Sequence, residues 1–184
     1  EGNCPNCGSS LVELNQVGEC GTCEAVLRGG EHDWILAEIT QASQWRPPDV
    51  SSERPASIEQ FQSERDSGFT TQHAEDRGSV IFWRKATADR TGSIDPLRKM
   101  ATDQLCERLE KEMAEATTSA GREFWHDCSV GSVDCLGVVC DSDADYAILD
   151  IRWSGNRHRV MADGSLEDLH KWNRLNSVMV LKRN

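Results

Sequence analysis

FWHDCSVGSVDCLGVVCDSDADYAILDIRWSGNRHRVM, residues 124–161, decides the fold. Apolar, β-branched and aromatic residues alternate with polar ones over four short runs, 124–128, 133–140, 146–153 and 157–161, separated by Gly, Ser, Asp and Asn. A period of two bounded by turn residues predicts strands. A further strand is predicted at 177–182, and the polar stretch 161–176 between them is expected to hold a short turn of helix.

Upstream the period lengthens to that of a helix. Ser57, with Gln60 three residues on, predicts a helix start carrying Ile58 and Phe61. A stronger helix is predicted from about residue 71 to 90, ending at Gly92, and its apolar turn Val80-Ile-Phe-Trp83 is expected to be buried on most sides. Ser93 and Pro96 restart the chain as a helix, whose stripe Leu97, Met100, Ala101, Leu105, Leu109 and Met113 runs to about residue 116, with Thr102 recapping it midway. Helices followed by a run of antiparallel strands predict an α+β domain with the helices on one face of the sheet.

Further upstream, residues 41–56 are rich in Ser and Pro and predict an extended linker, with Trp45 docked on the following domain or marking a partner contact. Before it, residues 33–39 form a short apolar element in which Trp34 packs on the ribbon or on the next domain. The head carries Cys4, Cys7, Cys20 and Cys23 as two Cys-x-x-Cys turns. Two such turns suit the knuckles of a zinc ribbon closing a tetrahedral site around one ion. About 25 residues cannot bury enough apolar surface to fold alone, so a cross-link must supply the deficit. Disulfides would need an oxidising compartment, and a redox couple needs one such pair at a strand–helix junction. With all four positions filled by protein, the zinc is structural and activates no water. The domain division is therefore 1–40 for the ribbon and apolar element, 41–56 for the linker and 57–184 for the α+β domain.

The remaining cysteines, Cys106, Cys128, Cys135 and Cys140, are expected as small buried hydrophobes in a reducing compartment; a bridge from Cys128 to Cys135 or Cys140 is the alternative. The charge of −11, from 31 acidic against 20 basic residues, argues against a nucleic-acid partner. No stretch reaches the roughly 20 apolar residues of a membrane helix. The chain begins at Glu1 without Met, which is expected of an excised or processed product whose upstream sequence carries any membrane attachment.

The block DRGSVIFWRKATADRTGSIDPLRKMATDQLCERLE, residues 76–110, leading into the strands, resembles the Tim-forty-four-like domain over residues 57–184. The ribbon followed by Asp33-Trp34-Ile-Leu also resembles bacterial members that carry a ribbon ahead of this domain. The resemblance implies a cone of the nuclear-transport-factor-two-like type, with helices closed over a strongly curved antiparallel sheet. It also implies scaffolding or partner binding near a membrane rather than catalysis. Chaperone recruitment and preprotein import belong to segments of mitochondrial relatives that are not recognisable in this chain.

Few residues offer catalysis. Strand alternation sends His126 and Asp127 to opposite faces, and His73 sits on a helix among Glu75 and Asp76. Asp141-Ser-Asp-Ala-Asp145 lacks the Gly and the bidentate Glu of a calcium loop, having Tyr146 and Arg152 in their places, and is expected to be a hairpin turn. Six tryptophans weigh more. Trp83, Trp125 and Trp153 fall on core elements, Trp45 and Trp172 in polar surroundings, and all five are candidate contacts. The expectation is a non-enzymatic module that binds a protein segment or apolar ligand, in the bacterial cytoplasm or at the cytoplasmic face of the inner membrane. An enzyme using the cone cavity and a nucleic-acid-binding ribbon are the alternatives; Arg28 alone is basic among residues 1–30, which disfavours the second.

Overall fold

The computed structural model describes Ser9 and residues 20–22, 34–45, 57–119, 121–141, 143–161 and 163–183. Among them are β1 (Ile35–Gln41), α1 (Ile58–Glu64), α2 (Thr71–Thr91), α3 (Asp95–Arg98), α4 (Asp103–Ser119), β2 (Arg122–Cys140), β3 (Asp145–Val160) and β4 (Leu166–Arg183). The strands form a four-stranded antiparallel sheet in the order β1-β4-β3-β2, so the domain is α+β as its sequence predicts.

Caps set the helix ends. Ser57 Oγ accepts from the Gln60 N–H at 3.1 Å, Thr70 Oγ1 from the His73 N–H at 3.2 Å, and Gly92 closes α2 at φ 71°. Thr102 Oγ1 accepts from the Leu105 N–H at 3.3 Å at the start of α4. The stripe of Leu97, Met100, Leu105 and Leu109 is buried on the sheet with Ile81 and Phe82 of α2. Val80 and Trp83 of the same turn are exposed, so that turn is buried on one side only.

Strand alternation then divides the sheet. Val138, Ala147, Leu149, Met179 and Leu181 face the helices, while Val139, Ile148 and Val178 form a second cluster on the far face. Trp45 packs on that far cluster, which places it on the domain rather than in the cavity described below.

Three expectations need correction. The four short runs of residues 124–161 are two long strands, β2 and β3: of the three breaks between runs only 141–145 is a reversal, while 129–132 and 154–156 lie at bulges inside a strand. Pairing slips between His126 and Ser129, Val130 and Ser132, and Cys135 and Gly137, and each slip leaves an extra residue that bends the strand. Residues 166–176, expected as a helical turn, belong to β4; they pair with β3 and are largely exposed, which hides their period. Residues 35–41, grouped with the ribbon in the domain division, form an edge strand of the sheet: they pair with β4 from Ile35–Lys182 to Gln41–Ser177. Trp34 accordingly packs into the α+β core, its ring centroid 6.4 Å from Phe61 and 5.7 Å from Phe69. Cys128 is an unbridged thiol, so the alternative of a bridge to Cys135 or Cys140 is not met.

Candidate functional site

The helices α2 and α4 do not seal the sheet. Between them and the strands lies a cavity of about 570 Å³, within the size range of small-molecule sites. Phe82 of α2, Trp125 of β2 and Trp153 of β3 supply an aromatic wall. Trp153 stands edge-on to both neighbours, with centroids 5.2 Å from Phe82 and 5.2 Å from Trp125. Its indole N–H donates to Ser177 Oγ at 3.0 Å, so the polar end of the ring is satisfied and its apolar surface is left to a ligand.

Charges in the lining are largely paired. Lys85 Nζ lies 2.6 Å from Asp89 Oδ2, and Arg108 Nε lies 3.9 Å from Glu112 Oε1, both one turn apart on their helices. Cys128 also lines the cavity, but burial, with Asp127 and Asp89 nearby, pushes its thiol up to about 11. A thiol so shifted is protonated at neutral pH and is a poor nucleophile. The arrangement can bury an apolar body against aromatic faces and orient its polar end at the rim.

The structure brings together two of the five candidate tryptophans, Trp125 and Trp153. Trp83, 44% exposed, lies instead beside a groove of about 520 Å³ between α2 and β2, with Val130, Val133, Glu75 and Asp76. Trp172 is 67% exposed in β4, at a φ of 51°. Phe82 is the contributor that sequence reasoning missed. Its place three residues after Ser79 and one before Trp83 showed an apolar turn, but not which side of that turn faced the cavity.

The alternation argument about His126 and Asp127 fails at a bulge. Asp127 adopts φ 49°, which swings its carboxylate back to His126, with Nδ1 and Oδ1 2.7 Å apart. This imidazole, and then the Asn156 amide, hold the Asp127 carboxyl below the usual range. Both residues lie outside the cavity lining. The acidic loop is a hairpin turn: the Asp141 N–H donates to the Ala144 carbonyl at 2.9 Å, and Asp145 is engaged by Arg183 at 3.1 Å.

Of the four head cysteines, Cys4, Cys7 and Cys23 lie outside the described residues. Cys20 is buried, and its Sγ accepts from the Thr22 N–H at 3.4 Å across Gly21, with Ser9 Oγ at 3.5 Å. An amide two residues on that points at sulfur fits a thiolate held in a metal knuckle.

Fold and site together define an α+β domain whose antiparallel sheet and helices enclose an aromatic-walled cavity. A scan of protein-family models, a search of curated proteins and a search of solved structures each find no match.

Proposed function

We propose that this chain is a non-enzymatic binding module: a structural zinc ribbon, then a Tim-forty-four-like cone whose cavity takes a protein segment or an apolar ligand. The observation that carries this reading is the wall of Phe82, Trp125 and Trp153 around about 570 Å³, with neighbouring charges paired along their own helices. Aromatic surface in a concave site supplies binding free energy without needing a reacting group. The raised Cys128 thiol favours binding over covalent chemistry.

The ribbon reading is supported by the Cys-x-x-Cys spacing and by the Thr22 amide directed at Cys20. A place beside a membrane belongs to the same proposal through the family resemblance; among the described residues no helix is long and apolar enough to cross one.

Titration with the apolar dye anilinonaphthalene sulfonate, followed by its fluorescence, tests the cavity. The intact protein is expected to show one saturable site, weakened at least about tenfold by Trp125→Ala or Trp153→Ala and unchanged by Trp172→Ala. No saturable binding, or equal binding by all four proteins, overturns the proposal.

A further inference from the structure

Outside the cavity, the far ends of β2, β3 and β4 hold a set of residues that apolar binding does not use. His126 Nδ1 lies 2.7 Å from Asp127 Oδ1, and His158 Nδ1 lies 2.8 Å from Asp168 Oδ1. The two imidazole rings meet at 5.7 Å between centroids and 83° between planes. Each ring thus has its own carboxylate on the same nitrogen, and the rings touch each other.

The support continues outward. Asn156 Nδ2 donates to Asp127 Oδ2 at 3.1 Å, and the Trp172 backbone N–H donates to Asn156 Oδ1 at 2.9 Å. Lys171 Nζ stands 3.9 Å from Asp168 Oδ2. Phe124 stacks on His158, with centroids 5.7 Å apart and planes within 24°. Asp127 and Trp172 are the two non-glycine residues with positive φ among the described residues, at 49° and 51°. Both belong to this cluster. Backbone held in a sparsely populated region persists where surrounding contacts dictate it, and such residues gather at functional sites.

A carboxylate on Nδ1 fixes the tautomer that carries its proton there and leaves the Nε2 lone pair to accept. That is the orientation of a metal-ligating histidine with its outer carboxylate. His158 Nε2 is buried and finds no hydrogen-bond partner among the described residues. A cation shared with the second imidazole would satisfy that acceptor. An ion held at about 2.1 Å by both Nε2 atoms sets ring centroids roughly 4.5 to 6.5 Å apart, between right-angled and linear coordination. The observed separation falls inside that range.

We propose that His126 and His158 form a two-imidazole site for a late divalent transition ion, with water in the remaining coordination positions. Imidazole donors select Ni²⁺, Cu²⁺ and Zn²⁺ over the hard cations Mg²⁺ and Ca²⁺. The site shares no residue with the proposed cysteine ribbon.

Ni²⁺ added to the full chain, with zinc already supplied in equimolar amount, is the probe. Side-chain NMR of the five histidines is expected to show broadening of His126 and His158 first, saturating near one equivalent, while His32, His73 and His170 stay sharp. Calorimetry is expected to show at least about tenfold weaker Ni²⁺ binding for His126→Asn and for His158→Asn, and a loss of about ten- to a hundredfold for Asp168→Asn. His126 is half-exposed, so its variant keeps the test decisive if His158→Asn does not fold. Equal broadening of His73 or His170, or Ni²⁺ affinity unchanged in His126→Asn, overturns the assignment.

Discussion

Gly78→Ala tests how closely α2 lies on the sheet beside the cavity. In an exposed helix interior this substitution stabilises by about 1 kcal/mol, because Ala loses less backbone freedom than Gly. Gly78 is buried, however, and a Cβ there would lie 2.3 Å from Leu149 Cδ1 and 3.3 Å from Val133 Cγ1. Carbon atoms rest at about 3.5–4.0 Å, so the Leu149 methyl must retreat by more than 1 Å. Leu149 is itself fully buried in the main cluster and has little room to do so. Overpacking of this kind costs about 1–3 kcal/mol, which after the helix gain leaves a net destabilisation of about 0–2 kcal/mol. Leu149→Val removes the obstructing Cδ1, and in that background Gly78→Ala is expected to recover its stabilisation of about 1 kcal/mol. The two backgrounds should therefore differ by about 1–3 kcal/mol. Urea unfolding of all four proteins, followed by far-ultraviolet circular dichroism, measures that coupling. An effect of the same sign and size in both backgrounds refutes the close approach of α2 to β3.

Two further outcomes follow from the charges and from the head. Burial alone pushes the Asp66 carboxyl up, but the Arg183 guanidinium 2.5 Å away and the Gly68 N–H outweigh it and hold Asp66 below its ordinary value. A folded value below the unfolded one stabilises above the unfolded value of about 3.9 and is lost as pH falls through the folded one. Acid unfolding of the intact protein should thus steepen below about pH 4, and Asp66→Asn should flatten that limb; identical limbs would show that the Arg183 contact does not act in solution. For the head, metal analysis is expected to find about one zinc per chain, released by a chelator together with four newly reactive thiols. Purified protein without zinc, and with those thiols reactive from the start, overturns the ribbon.

The local signals in this sequence were faithful where they depended on one cap or one turn. Ser57 and Gly92 mark helix ends because a side-chain oxygen or a left-handed residue acts within its own turn. Signals that depended on a partner strand failed. Residues 129–132 read as a turn, yet Ser129, Val130 and Ser132 pair with Ser154, Trp153 and Arg152 across a bulge. The outer half of β4 has no buried face to enforce a period, so 166–176 carried no strand pattern. Likewise the candidate tryptophans could be enumerated but not sorted. Which of them share a cavity depends on the pairing of β2, β3 and β4, and that pairing is set between distant segments.

The same bulges explain both the cavity wall and the histidine pair. In an unbroken strand, Trp125 and Asp127 would share a face and His126 would take the other. With Asp127 in the left-handed region, the slip between His126 and Ser129 ends that rule. Trp125 keeps its place against Trp153 inside the cavity, while the Asp127 carboxylate turns to His126 outside it. One irregular residue therefore serves two environments across the sheet, and straightening it should disturb both. Asp127→Gly makes φ 49° easy and removes only the carboxylate, so it is expected to spare the dye site and weaken Ni²⁺ binding. A β-branched residue at the same position opposes the bulge itself, and through it the register that holds Trp125 beside Trp153.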